Sequence, residues 1–227
     1  MKLLLIRHGD PDYTIDSLTP KGHIEAELLA ERLSATDIKG YYTSPLGRAQ
    51  KTAEYTLNKV GKTAEVLDWA REFDVLIDDG NGGKCLTWDI LPENWTKIPE
   101  YYDKDKWLDV QVMKDAEVRS GIEKVYNGLD KLLERHGYRR EGNFYRAVSP
   151  NENTIALFCH YGVICVIISH LIGVSPMVLW QGISAEPTSV ATLETEERSV
   201  GIASFRMSTF GDISHLYKLR RGTKYEI

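Results

Sequence analysis

Two short apolar runs without alternation mark the chain, Leu3-Leu4-Leu5-Ile6 and Ile155-Ala156-Leu157-Phe158-Cys159. A strand covered on both faces reads this way, as in a parallel sheet between two helical layers, so each run predicts a buried strand. Residues 38–43 predict another strand and residues 64–67 a short one. Ile24, Leu28, Leu29 and Leu33 recur at helical spacing behind Thr19-Pro20, a hydroxyl N-cap followed by a first-turn proline. A second helix is expected after Ser44-Pro45, carrying Arg48, Ala49, Thr52, Ala53 and Leu57. Two more are expected over 117–135, closed by His136-Gly137, and over 163–172. Residues 139–150 are polar and read as loop. Residues 189–194 and 200–207 predict a hairpin turning at Glu196-Glu197. Strands alternating with helices predict a three-layer α/β/α sandwich with a mostly parallel central sheet and a C-terminal β-hairpin.

The middle of the chain breaks this rhythm. Asp78-Asp79-Gly80-Asn81-Gly82-Gly83 reads as a loop, and residues 86–108 place Trp88, Trp95, Tyr101, Tyr102 and Trp107 among charges and prolines. At 227 residues the chain suits one α/β domain, residues 1–227, with an inserted cap-like segment at about 76–115. The aromatic cluster either packs an inserted helical pair or shapes a substrate pocket.

Composition narrows the function. Net charge is −5 with no long basic run, which disfavours a nucleic-acid partner. The basic tail Lys218, Arg220, Arg221 and Lys224 reads as a solvated end. Three cysteines do not make a disulfide framework, so a reducing, cytoplasmic setting is expected. The first apolar run is too short for a signal peptide, and no stretch approaches the ~20 apolar residues of a membrane span. A monomer or homodimer is expected.

Both apolar runs end in a histidine, His8 and His160. Ligands of open α/β sheets gather beyond the carboxyl ends of the strands. Neighbouring strands would therefore bring Arg7-His8-Gly9 and Cys159-His160-Tyr161-Gly162 to one site. A neutral imidazole can attack phosphorus and form a phosphohistidine, splitting one hard displacement into two easier ones. Arg7 and Arg48 would hold the phosphoryl oxygens, Arg48 from near a helix N-terminus that also favours anions. His160, if protonated, adds a donor. The leaving oxygen needs a proton, for which Glu72 is the chosen donor. Outside such chemistry, Arg48 would pair with Glu54 or Glu72, and His8 and His160 would be satisfied strand-end histidines.

Three blocks carry a resemblance: Leu5-Ile6-Arg7-His8-Gly9, Leu18-Thr19-Pro20-Lys21-Gly22, and Thr43-Ser44-Pro45-Leu46-Gly47-Arg48-Ala49-Gln50-Lys51-Thr52-Ala53. In this order, with His160 downstream, the chain resembles the histidine phosphatase superfamily, also called phosphoglycerate-mutase-like. The resemblance implies a metal-independent, cofactor-free phosphatase acting on a small phosphorylated substrate. It implies His8 as nucleophile, a phosphate pocket of Arg7, Arg48 and His160, and Glu72 as acid, with Glu65, Asp68 and Asp74 as competitors. Thr14 stands where the family's mutases usually carry Asn, and Tyr161 where Gly often follows the second histidine. Both are expected in the phosphate pocket, and both departures favour a phosphatase over a mutase. A phosphomutase, or a catalytically weak phosphate-binding module, are the alternatives.

Two other phosphatase chemistries are disfavoured. Asp10-Pro11-Asp12-Tyr13-Thr14 matches an Asp-x-Asp-x-Thr pattern of Mg²⁺-dependent aspartyl enzymes, yet Arg-His-Gly separates it from its strand. Cys159 lacks an arginine six positions on, where Cys165 stands, so a cysteine nucleophile has no support.

Overall fold

Leu3 and Leu5 face one helical layer and Leu4 and Ile6 the other, and all four are buried. That two-sided burial is why the run is apolar at every position. The structure, a computed structural model, describes residues 1–217. The basic tail named above lies outside the described residues.

The main sheet has eight strands: β1 (Lys2–Arg7), β2 (Ile38–Thr43), β3 (Glu65–Val66), β4 (Tyr138–Glu141), β5 (Phe144–Ala147), β6 (Thr154–Cys159), β7 (Val190–Ser199) and β8 (Ile202–Asp212). Their order is β3-β2-β6-β1-β7-β8-β5-β4. Three pairings are parallel, β3 to β2, β2 to β6 and β6 to β1. The other four are antiparallel. The sandwich is as expected, but the sheet is mixed and mostly antiparallel, which corrects the expectation of a mostly parallel one.

The antiparallel half escaped the hydrophobic pattern for two physical reasons. Residues 139–150 contain a hairpin, not a loop. Its strands are four residues each and rich in Arg and Glu, so only Tyr138, Tyr145 and Ala147 show the buried face. The β7–β8 hairpin is longer than its apolar stretch and turns at Val200-Gly201, with Gly201 at φ 75°. Its outer rungs are charged, Glu196 lying within 3.2 Å of both Arg198 and Arg206. The Glu196–Arg206 pair crosses the strands and extends the ladder where the apolar pattern stops.

Helices α1 (Pro20–Ser34) and α2 (Gly47–Val60) cover one face, packing Leu29, Leu33 and Ala53 against Leu4, Ile6, Ala156 and Phe158. Helices α3 (Val118–Arg135), α4 (Tyr161–Ile172) and α5 (Pro176–Gly182) belong to the core of the other face with Leu3, Leu5, Ile155 and Leu157. Thr19 caps α1 by accepting from the Gly22 N–H at 3.1 Å, with Pro20 next. Helix α4 begins two residues earlier than its apolar run suggests, directly after His160.

Residues 76–115 form a two-stranded ribbon, Leu76–Asp78 with Lys84–Leu86, followed by short helical turns. Trp107 is buried edge-on to Trp180 of α5, ring centroids 5.8 Å apart, so this segment is fastened to the main core.

Candidate active site

The parallel half of the sheet builds the site. Arg7 pairs with Cys159 in register, so the next residues, His8 and His160, leave adjacent strands side by side. The His8 N–H donates to the Cys159 carbonyl at 3.0 Å, and the Ser44 N–H to the Phe158 carbonyl at 2.9 Å. Strands β2, β6 and β1 are neighbours, and each delivers one polar residue at its carboxyl end: Ser44, His160 and His8. The two imidazole centroids are 5.0 Å apart, tilted by 56°.

Hydrogen bonds set the ring states. His8 Nδ1 is 2.7 Å from the Gly9 carbonyl, which only accepts, so Nδ1 carries the proton and Nε2 the lone pair. His8 is buried, and that burial, with Arg7 and Arg48 nearby, pushes its pKa down to about 4. His160 Nε2 is 2.7 Å from Ser44 Oγ, which itself accepts from the Leu46 N–H at 3.2 Å. In the tautomer where the Ser44 hydroxyl donates to Nε2, Nδ1 carries the proton and is a donor. Burial first, then His8 and the two arginines, hold His160 far below the ordinary histidine range. It is held in the neutral form, so any donor it offers is a neutral N–H.

Three buried polar atoms in this cluster have no hydrogen-bond partner among the described residues: Arg7 Nε, Arg48 Nε and His160 Nδ1. Buried unpaired donors are costly, so a ligand supplying anionic oxygens relieves all three. Arg7 is fixed by a bond from its guanidinium to the Ala185 carbonyl. Arg48, the second residue of α2, donates to Asp16 Oδ1 at 2.7 Å. Neither Glu54 nor Glu72 takes that place; Glu54 pairs with Lys51.

Glu72 sits across the first turn of α4. Its Oε1 accepts from the Phe73 N–H at 2.8 Å and the Val163 N–H at 3.1 Å. A Cβ on Gly162 would lie 2.6 Å from that oxygen, so glycine is needed there. Burial raises the Glu72 pKa, opposed by those backbone N–H groups.

Thr14 lies on an exposed loop, its hydroxyl donating to Asp12 at 2.5 Å. Tyr161 donates its hydroxyl to carbonyls at the end of α5, 2.6 Å from Ile183 and 2.8 Å from Trp180. Glu65 pairs with Arg135, away from the histidines. Cys159 is buried and burial raises its pKa, so its thiol stays protonated. Among the described residues, no group of three or more His, Cys, Asp or Glu is placed to hold a metal ion.

Sequence reasoning passed over Ser44, Thr52 and Asp16. Thr52 Oγ1 accepts from the Gly9 N–H at 2.9 Å, fixing the turn after His8. Ser44 had a signal, since it ends a strand as His8 and His160 do. Asp16 had none, because a loop residue carries no periodicity.

Residues 3–207 match the profile of the histidine phosphatase superfamily (branch 1). A 2,3-bisphosphoglycerate-dependent phosphoglycerate mutase of Thermoplasma acidophilum is 33% identical over 134 residues, 52% of this chain and 66% of that protein. One from Bartonella tribocorum is 39% identical over 72 residues, so the chain spans 35% of its length. Phosphoserine phosphatase 1 of Hydrogenobacter thermophilus is 25% identical over 207 residues, 87% of this chain and 88% of that one. A phosphoserine phosphatase from Entamoeba histolytica, solved with phosphoserine, has a TM-score of 0.61 at 19% identity, covering 95% of this chain and 98% of its own. A phosphoglycerate mutase from Bacillus anthracis has a TM-score of 0.63 at 17% identity, covering 97% and 96%. At such identities the solved structures speak for the fold, while the profile match spans nearly all of the sequence. The chain belongs to the histidine phosphatase superfamily.

Proposed function

We propose that this protein is a phosphatase that hydrolyses a small phosphomonoester through a phosphohistidine on His8. One observation carries the reading: a neutral His8, with its Nε2 lone pair free, stands beside three buried donors that lack a partner. His8 Nε2 forms a bond to phosphorus as the bond from phosphorus to the leaving oxygen breaks. Arg7, Arg48 and the Nδ1–H of His160 hold the peripheral oxygens. Glu72, whose raised pKa favours the acid form, gives its proton to the leaving oxygen. Water, deprotonated by the Glu72 carboxylate, then attacks phosphorus, the N–P bond breaks, and His8 and Glu72 return to their starting states. Thr14 and Tyr161 complete the pocket at its rim in this reading.

The proposal places the enzyme in the cytoplasm, as a monomer or homodimer without a nucleic-acid partner. Its three cysteines are unpaired and its net charge is acidic. Among the described residues no helix is long and apolar enough to cross a membrane. Residues 76–115 serve as a cap over the leaving group, supported by Trp88, which bonds the Phe73 carbonyl at 2.7 Å beside Glu72.

A second reading, phosphoglycerate-type phosphomutase, draws on the names of the Thermoplasma and Bartonella relatives. A release screen over sugar phosphates, nucleotides, phosphoglycerates and phosphoserine separates the two. Inorganic phosphate from at least one substrate, lost in His8→Ala, is the expected result. Transfer to phosphoglycerate without release would establish the mutase instead.

A further inference from the structure

The anion position on Arg48 is occupied by a group of the protein itself. Asp16 Oδ1 accepts from Arg48 Nη1 at 2.7 Å, and Asp16 Oδ2 accepts from the Gly47 N–H, the first of α2, at 2.6 Å. A guanidinium and a helix N-terminal N–H are the donors a phosphoryl oxygen would use. The carboxylate thus sits as a phosphoryl group would sit on this side of the pocket.

The loop is built for that position. Asp16 has φ 46°, a left-handed backbone that Asp tolerates better than most residues. A Cβ on Gly47 would lie 2.2 Å from the Asp16 carbonyl oxygen, so the loop presses on the start of α2 and requires glycine there. The Tyr13 ring lies 5.4 Å from the Arg48 guanidinium carbon and adds a cation–π contact. The two partners differ in freedom. The Asp16 side chain is 43% exposed and the Arg48 side chain 12%. The carboxylate can leave for water, whereas the guanidinium cannot follow it.

We propose that Asp16 is a built-in competitor for the phosphoryl group, holding Arg48 and the α2 N-terminus in the ligand-free protein and yielding them when substrate binds. This deepens the phosphatase reading and rests on Arg48 as a phosphate ligand. It keeps a buried guanidinium paired between turnovers and weakens retention of inorganic phosphate, the product. Asp16 is then a specificity residue that sets how tightly a phosphoryl group is held.

The test is calorimetric titration of the intact protein with inorganic phosphate, together with product inhibition of turnover. Asp16→Asn removes the charge, tolerates the positive φ, and keeps an oxygen for the Gly47 N–H. The expected result is phosphate binding about fivefold tighter, the scale of a partly exposed ion pair, with product inhibition strengthened by the same factor. Equal or weaker phosphate binding overturns the proposal, as does a fall in kcat with phosphate affinity unchanged, the mark of a merely positioning residue. If Asp16→Asn does not fold by circular dichroism, Asp16→Gly, equally free at positive φ, decides in the same way. Arg48→Ala is the separate control: phosphate affinity equal to the parent protein overturns Arg48 as a ligand, whereas a loss leaves Asp16→Asn to decide alone.

Discussion

His8 and His160 face one another because Arg7 and Cys159 are register partners on parallel strands. Both rings are buried and both are held neutral. Burying two imidazoles together is tolerable only without charge, and a neutral ring is the form that attacks phosphorus.

Replacing His8 by Ala should abolish turnover, by at least about 10³-fold, while the protein stays folded. The side chain's one protein hydrogen bond is to the adjacent Gly9 carbonyl, so little else depends on it. Steady-state assays and thermal melts check both halves, and an acid-labile phosphoprotein should be trapped from the parent but not from the mutant.

Acid should remove both activity and stability through His8. Its folded pKa of about 4 lies below the ordinary 6.5, so the unfolded chain binds more protons between those values. Stability is therefore full above pH about 6.5 and declines as pH falls toward about 4, by about 3 kcal/mol from this residue. Denaturant melts across that window should show the decline, and His8→Ala should make it shallower, leaving the slope that His160 contributes. Below pH about 4 the protonated ring has no lone pair to attack with, and kcat should collapse.

Glu72→Gln should separate substrates by leaving group. An alkyl phosphate needs a proton on its leaving oxygen and should slow by about 10²- to 10⁴-fold. A p-nitrophenyl ester, which departs as a stable anion, should slow far less in the phosphorylation step. Burst kinetics on both substrates measure this, and equal losses would remove Glu72 from the acid role.

The tryptophans of residues 76–115 should divide. Trp88 bonds the Phe73 carbonyl, lies edge-on to Tyr161 at 6.3 Å, and would contact any Cβ on Gly162. Trp95 packs on Tyr102 instead, centroids 5.3 Å apart. Trp88→Ala should change the ranking of substrates by kcat/KM, and Trp95→Ala should leave that ranking intact.

The buried strands, their terminal histidines and Arg7 were legible because their signals are local: an apolar run, then polar residues at its end. Thr19 and Pro20 announced α1 in the same way. The hairpin at Tyr138–Ala147 was not legible, since alternation over four residues with two arginines is indistinguishable from a polar loop. Sheet direction was lost with it, because the hairpin adds two antiparallel pairings and turns two against three parallel into four against three. The Asp16–Arg48 pair was hidden for another reason. It joins a loop to a helix start, and only the folded chain puts Tyr13 and Asp16 within reach of one guanidinium.

Strand β1, the earliest of the sheet in chain order, finds one neighbour about 150 residues later, in Thr154–Cys159, and the other about 190 residues later, in the start of β7. During synthesis it has no sheet partner until β6 has emerged. His8 thus meets His160 only once β6 has docked beside β1. A truncated chain lacking β6 carries His8 without its companion, so this architecture ties assembly of the histidine pair to completion of the sheet.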